Sequence, residues 1–296
     1  MRRTCNTSFY LPNTNTPPLT SAMVADFPQE IIDTIIDEFA LDQCGDARDQ
    51  VRAIKQLSLV SSKWLHRSRM YLFHALEFTP NSFSMWCRDV RPGVGGPSRH
   101  VAYIRYKPSS LGVGRGMGLL DGLARNPLHT SAFTNLRTLH LVDMSLQHTS
   151  CLTYFGGLTA VRELWLEDCQ MDINQFVSFV RSFPNIEHLR LMRPQCAHEI
   201  RLQHPDPPPL KGTLEFHQPV VATSVNIATF IDGLSLVPSY FSTIVFRERL
   251  DIPEAVNKLL AASRRTLTKL TFGHNSKAYS VVEIVTASSP TPRLHF

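Results

Sequence analysis

The amino-acid sequence predicts an α+β fold with α/β repeats, in which three amino-terminal helices precede a curved solenoid of strand-and-helix units. Three helical apolar patterns follow one another and end near residue 73. From residue 133 onward, pairs of apolar residues recur at intervals close to 25 residues, which is enough for one strand and its return connection. A chain of 296 residues, 43% of them hydrophobic, can bury a continuous core under such an array.

The amino-terminal part divides into a tail and a helical domain. Residues 1–22 are rich in Asn, Thr and Pro and have few large apolar side chains, so we expect a disordered tail. The helical domain is predicted over residues 23–73. In its first helix Pro28 suits the first helical position, and Glu30 favours the positive end of the helix dipole. The apolar stripe of this helix comprises Ile31, Ile32, Ile35, Ile36 and Phe39.

Two further helices complete the predicted domain. The second is indicated by Val51, Ile54 and Leu57, and the third by Trp64, Leu65 and Leu72. Three short helices bury only a marginal core, which indicates that a partner completes one face.

Two stretches of this domain, Phe27-Pro28-x-Glu30-Ile31-Ile32 and Leu57-Ser58-Leu59-Val60-Ser61-x-x-Trp64, resemble the F-box. This is the motif by which substrate receptors dock on the Skp-type adaptor of cullin-RING ubiquitin ligases. Phe27 stands where the family usually has leucine, and the link over residues 44–50 is longer than usual. The alternative is that Trp64 is a core aromatic of an ordinary helical bundle. The resemblance implies an adaptor-binding face made by Phe27, Pro28, Ile31, Ile35, Leu57, Val60 and Trp64.

Residues 74–296 are predicted to form the solenoid. Most of the apolar pairs are preceded three residues earlier by another apolar residue, and this Leu-x-x-Leu-x-Leu pattern resembles leucine-rich repeats. Weaker copies occur earlier, at Leu76/Phe78 and at Ile104/Tyr106. The closing residues, SSPTPRLHF, show no pattern of a capping helix. The regular pairs are Leu139/Leu141, Leu164/Leu166, Leu189/Leu191, Leu214/Phe216, Ile244/Phe246 and Leu270/Phe272.

Alternation along each strand predicts which side chains face away from the core. These residues combine acidic and basic groups with Trp165, which is the expected anchor for a protein target. The alternative is an ordinary solvated surface with Trp165 under a loop. The predicted outward residues are Thr138, His140, Asp143, Glu163, Trp165, Glu167, Asp168, His188, Arg190, Arg193, Glu215, His217, Arg247 and Lys269, and those assigned to target binding are His140, Trp165, Glu167, Arg190 and Arg193.

Motifs of catalysis are not found. The glycine run at residues 111–118 lacks the Lys-Ser or Lys-Thr of a phosphate loop, so we interpret it as a flexible loop. The proline-rich HPDPPPL at residues 204–210 is interpreted as a stiff connection, and the alternative is a ligand for a proline-binding module. The six cysteines occur singly and the twelve histidines show no metal spacing, so neither disulfides, a metal nor a cofactor is predicted.

The sequence therefore predicts a non-enzymatic substrate receptor of a Skp/cullin/F-box ubiquitin ligase, located in the cytoplasm, the nucleus or both. It would bind a Skp-type adaptor through the helices and an unidentified protein target through the repeats. The alternative is a protein-interaction scaffold without a ligase link. No apolar stretch is long enough for a membrane helix, and no basic run reaches five residues despite the net charge of +5, which disfavours nucleic acid as a partner.

Overall fold

The computed structural model describes residues 27–41, 47–90, 96–107, 132–145, 158–196, 210–217, 224–237, 239–247, 252–274 and 278–283. The predicted tail at 1–22, the glycine run at 111–118, residues 204–209 of the proline-rich stretch and the closing residues lie outside them. A short 3-10 helix spans Pro97–His100. The α-helices are α1 (Gln29–Leu41), α2 (Ala47–Leu57), α3 (Ser62–Leu72), α4 (Pro80–Asp89), α5 (Ile173–Arg181), α6 (Ser224–Ser235) and α7 (Pro253–Ser263).

Nine of the eleven described strands form one sheet, in the order β1-β2-β3-β4-β6-β8-β9-β10-β11. All neighbours in this sheet are parallel except β10 and β11, which are antiparallel. Strands β5 and β7 pair separately, also in parallel. The strands are β1 (Ala75–Phe78), β2 (Tyr103–Tyr106), β3 (Thr138–Val142), β4 (Glu163–Glu167), β5 (Gln170–Met171), β6 (His188–Met192), β7 (Gln195–Cys196), β8 (Leu210–His217), β9 (Ser239–Phe246), β10 (Lys269–His274) and β11 (Ala278–Glu283).

The helices α1, α2 and α3 form where the sequence predicts them, and they contact one another. Polar contacts lock α1 to α3. The Arg67 guanidinium donates to both carboxylate oxygens of Asp37, at 2.7 and 2.6 Å, and the Tyr71 hydroxyl donates to the same carboxylate at 2.9 Å. The hydrogen bonds from Arg67 lower the pKa of Asp37, so this carboxylate stays ionised. The buried apolar residues of the three helices are Ile32, Ile36 and Ile54.

The predicted apolar pairs form two continuous rows on one face of the sheet. In the first row Leu139, Leu164 and Leu189 lie opposite one another on neighbouring strands, in a single register. The second row ends in three aromatic rings, because Phe216 stacks on Phe246 and Phe246 stacks on Phe272, each at 5.4 Å between ring centroids. This face, with helices packed on it, is the hydrophobic core.

The connecting helix α5 follows its sequence signals. The Asp172 carboxylate accepts from the Gln175 backbone N–H at 2.8 Å, and the Gln175 side chain accepts from the Asp172 N–H at 3.1 Å. This reciprocal capping box satisfies two backbone donors at the start of the helix. The predicted stripe is buried in the core, and it consists of Ile173, Phe176, Val177, Val180 and Phe183.

Three strands are each followed by a turn of the same conformation. Asp143, Asp168 and Arg193 directly follow β3, β4 and β6, and all three have positive φ angles of 50° to 52°. Each backbone N–H nevertheless donates to a carbonyl of the neighbouring repeat, as from Asp143 to Glu167 at 2.8 Å. These bonds offset the strain that a left-handed conformation imposes on a non-glycine residue.

The predicted fold class, α+β with α/β repeats in which a three-helix F-box is followed by a curved leucine-rich-repeat solenoid, is wrong. The structure is an α/β fold, in which a mostly parallel sheet of eight parallel strands and one antiparallel strand is combined with seven helices within the described residues. An interval of about 25 residues specifies that neighbouring strands run in parallel, but it does not specify curvature. The helices adjoin the sheet, because α3 contacts the 3-10 helix and β1 begins three residues after Leu72.

Gly212 provides a test of the packing between repeats. Its φ of +100° favours glycine, and a Cβ atom there would collide with the backbone carbonyl of Glu187. We expect Gly212→Ala to lower the free energy of unfolding by about 1–3 kcal/mol. The neighbouring exposed Lys211→Ala is the control and should change it by less than about 0.5 kcal/mol. Urea denaturation measures both, and equal effects would contradict the close approach at Gly212.

Candidate functional site

The helix α1 carries a second apolar row that the described residues leave exposed. Ile31, Ile35 and Phe39 are spaced by four residues and therefore lie along one side of the helix. Ile31 and Phe39 are 47% and 50% exposed, and Ile35 is half-buried. The adjacent row, Ile32 and Ile36, already supplies the buried contacts. The exposed row is therefore more apolar surface than the helical packing requires.

The link between α2 and α3 adds to this apolar surface. Leu59 and Val60 are 84% and 55% exposed. The Gln29 side chain donates to the backbone carbonyl of Lys63 at 3.2 Å, which places the start of α1 beside the start of α3. Of the predicted adaptor-binding residues, Phe27, Pro28, Ile31 and Val60 are exposed, whereas Ile35, Leu57 and Trp64 are half-buried. We call Phe27, Ile31, Phe39, Leu59 and Val60 the apolar patch.

The predicted outward residues lie on the face of the sheet opposite the core. The strand register aligns four of them with four further residues in one row across the sheet, which we call the central row. Thr138, Glu163, His188 and Lys269 lie in a parallel row nearer the strand starts. The central row is Glu77, Arg105, His140, Trp165, Arg190, Glu215, Val245 and Thr271.

Glu167 is the centre of the first charged cluster on this face. It accepts hydrogen bonds from Arg193 at 2.9 Å and contacts His140 Nε2 at 3.0 Å. Arg193 also holds Asp168 in a two-pronged ion pair, and Arg105 approaches Glu167 at 3.6 Å. Glu167 and Arg193, two of the five residues predicted to bind a target, therefore form an ion pair with each other.

His140 lies on the predicted face but is only 5% exposed. Burial lowers the pKa of its imidazole, so the neutral ring prevails at neutral pH. Because the Glu167 carboxylate can only accept, Nε2–H donates to Glu167, and Nδ1 accepts from the Tyr103 hydroxyl at 2.8 Å. The contact between His140 and Glu167 is thus a hydrogen bond of a neutral ring and not an ion pair. His140 positions its neighbours and is not free to contact a target.

Glu215 is the centre of the second cluster. Arg190 and His217 contact its carboxylate at 2.9 and 2.7 Å, and Arg247 forms a further ion pair with it. Burial alone would raise the pKa of Glu215, but the hydrogen bonds from His217 and Arg247 and the charge of Arg190 outweigh it and lower the pKa to about 2. Glu215 is therefore an ionised and nearly buried carboxylate.

Trp165 joins the two clusters. The Arg190 guanidinium carbon lies 4.4 Å from the centre of its ring, which is a cation–π contact. The opposite neighbours are His140 and Tyr103, with ring centroids at 5.3 and 5.9 Å. The indole N–H is buried and has no acceptor within the part of the chain that the structure describes. Trp165 is half-buried, so one part of its ring remains available to a partner.

Sequence reasoning missed several residues of this surface. Glu77 and Arg105 extend the central row, and they form an ion pair at 3.5 Å. Their positions between Leu76 and Phe78 and between Ile104 and Tyr106 were the available signal, because the middle residue of each apolar pair points outward. No such signal marks Tyr103 as the partner of His140, or Asp37 as the partner of Arg67.

Neither Cys87 nor Cys169 has the properties of a nucleophile. Burial raises the pKa of Cys87 to about 11 and that of Cys169 to about 12. Cys169 donates to backbone carbonyls of Leu141 and Glu167, at 3.5 and 3.4 Å. A protonated thiol that is held by backbone carbonyls supports the turn and has no thiolate for attack.

The Glu215 cluster predicts a pH-dependent stability. The pKa of Glu215 is about 2 in the folded chain against an ordinary 4.5, so its contribution is complete above pH 4.5 and is lost as the pH falls toward 2. We expect Glu215→Gln to lower the free energy of unfolding by roughly 2 kcal/mol at pH 7. The difference from wild type should shrink below pH 4.5 in urea titrations.

Glu187→Gln is the matched control. Glu187 is half-exposed and pairs with Arg162 at the surface, where such pairs contribute less than about 1 kcal/mol. An equal loss in both variants, or a loss for Glu215→Gln that does not change with pH, would contradict the role of the buried cluster.

No helix among the described residues has the length and apolar character needed to cross a membrane. The same residues contain no group of three or more His, Cys, Asp or Glu side chains placed to hold a metal ion. No model of a protein family matches the chain, and no curated protein matches its sequence.

Proposed function

We propose that this protein is a substrate-receptor subunit of a Skp/cullin/F-box ubiquitin ligase. Its amino-terminal helices would bind a Skp-type adaptor, and the polar face of its sheet would bind a target protein. The observation that carries the proposal is the apolar patch, because four of its five residues, all except Phe39, belong to the two stretches that resemble the F-box motif. The seven residues of that resemblance include Phe27, Ile31 and Val60, which are exposed.

The patch has the properties of a docking surface. A second apolar row on α1, which includes Ile31 and Phe39, adjoins the row that is already buried, so a partner could cover it without disturbing the helical packing. Leu59 and Val60 present side chains from a turn whose backbone is held by hydrogen bonds to residues 56 and 57. A backbone that is already fixed loses little conformational entropy on binding, which favours affinity.

The polar face suits recognition of a protein rather than chemistry. Its arginines are already fixed by carboxylates, as Arg190 is by Glu215 and Arg193 by Glu167. A partner would therefore meet charges in preset positions, with Trp165 as a half-buried aromatic anchor among them. The protein would act by holding its target near the ligase, which raises the effective concentration of the target without a catalytic group.

The alternative is a protein-interaction scaffold without a ligase link. One observation favours it, namely that α3 contacts the 3-10 helix beside the first strands of the sheet. On this alternative the three helices serve to cover that end of the sheet, as terminal units of repeat proteins do. The scaffold alternative assigns no function to the exposed side chains of the apolar patch.

Adaptor binding separates the two functions. We expect the purified protein to bind a purified Skp-type adaptor, and Ile31→Glu and Val60→Glu each to weaken binding at least about tenfold, because a charge in an apolar interface is left without a partner. Titration calorimetry measures the dissociation constants.

The matched control is Met85→Glu, which places the same charge on another exposed apolar side chain, on α4. It should bind the adaptor like wild type, and thermal unfolding should show all three variants folded. Absence of adaptor binding by wild type would exclude the ligase link, whereas unchanged binding by Ile31→Glu and Val60→Glu would place the adaptor elsewhere.

A further inference from the structure

A pocket of about 640 Å³ opens where α3 meets the starts of β2, β3 and β4. This volume lies within the range of about 300–1,000 Å³ that is typical of ligand sites. Met70, His74 and Arg137 are exposed, whereas Arg99, His100 and Trp165 lie deeper and are partly buried. We call it the basic pocket, and Met70, His74, Arg99, His100, Arg137 and Trp165 are the residues that define it.

The charge of the pocket has one sign. Arg99 and Arg137 are permanently positive, and none of the described residues that line the pocket is Asp or Glu. The pKa of His100 is lowered by burial and then by the positive charge of Arg99, which lines the same pocket. Elsewhere on this side of the sheet, arginines such as Arg190 and Arg193 are paired with carboxylates.

The repeat explains why Arg137 has no carboxylate partner among the described residues. Arg137, Arg162 and Glu187 occupy equivalent positions before β3, β4 and β6, and backbone bonds of 2.8 Å join each to the next. Arg162 forms an ion pair with Glu187. The one carboxylate of this set is therefore taken by Arg162, and Arg137 has no acidic partner among the described residues. Arg99 donates to His100 Nε2 at 3.2 Å and likewise has no carboxylate there.

We propose that the basic pocket binds an acidic segment of the target protein, with a Glu or Asp carboxylate on Arg99 and Arg137. Met70 and Trp165 offer apolar contacts for the aliphatic part of such a side chain. The inference rests on the part of the proposed function that gives the protein a target. It does not depend on the adaptor, so a failure of either is recognised separately.

The size and position of the pocket favour a peptide over a free inorganic anion. A water molecule takes up about 30 Å³, so the pocket holds much more than a single ion. Trp165 lines the pocket and also belongs to the central row, so a segment bound there would be continuous with a target on the polar face. The exposed residues at its opening leave room for a chain to enter and leave.

Fluorescence anisotropy tests the proposal with a labelled, end-capped peptide of alternating Glu and Gly, at about 0.15 M salt. We expect wild type to bind this peptide and not its Gln counterpart. Arg137→Gln and Arg99→Gln should each weaken binding roughly tenfold, because each removes a charge-assisted hydrogen bond.

The control is Arg265→Gln, which removes the same charge from an exposed position outside the pocket, after α7. It should change the dissociation constant less than about twofold, since general attraction between net charges is screened at this salt concentration. Arg137 is exposed, so its variant is expected to fold, and circular dichroism verifies this for all variants. No binding by wild type, or an equal loss with Arg265→Gln, would overturn the proposal.

Two competitors distinguish other sources of the anionic group. Inorganic phosphate and an unlabelled single-stranded RNA are added to the complex of wild type with the Glu peptide. The proposal holds if neither displaces the peptide below millimolar concentration. Displacement by micromolar phosphate would identify a site for a free anion, and displacement by micromolar RNA a nucleic-acid site, and either result would overturn the peptide assignment.

Discussion

The common register that aligns the apolar pairs of the eight parallel strands is the constraint on which both faces of this protein depend. It sets Leu139, Leu164 and Leu189 in one buried row and His140, Trp165 and Arg190 in one polar row directly behind it. Because side chains alternate along a strand, a slip of one residue would exchange these rows and bury the charges. The core and the recognition surface are therefore two results of the same hydrogen-bond pattern.

On the polar face, acidic and basic side chains are paired with close neighbours, and an excess of positive charge remains at one end. Glu167 and Glu215 each form ion pairs with two arginines. The side chains that neutralise these carboxylates also cover most of their surface. Such clusters are ordered before any partner arrives, which favours specificity more than affinity. Beside α3, at the starts of β2 and β3, Arg99 and Arg137 form no ion pair with an acid in the described part of the chain. The positive surplus thus coincides with the pocket.

Local features of the fold could be predicted from the sequence, whereas its architecture could not. The apolar pairs, the capping box at Asp172 and Gln175 and the three amino-terminal helices depend on neighbouring residues, so their patterns determine them. The packing of the helices against the sheet depends on contacts such as that between α3 and the 3-10 helix. The spacing of apolar residues along the sequence does not indicate such contacts. For the site, the alternation of side chains along each strand indicated which residues face outward. It did not indicate that His140 is buried, because its hydrogen-bond partner Tyr103 lies 37 positions away in the sequence.

The helix α3 spans both of the surfaces described above. Trp64 lies near its beginning, by the apolar patch, and Met70 lies near its end, at the opening of the pocket. Six residues of α-helix measure about 9 Å, and the Asp37 carboxylate clamps the same helix from the side through Arg67. Two molecules held at those ends would be kept at a fixed distance and orientation by one rigid rod, with no hinge between them to absorb movement.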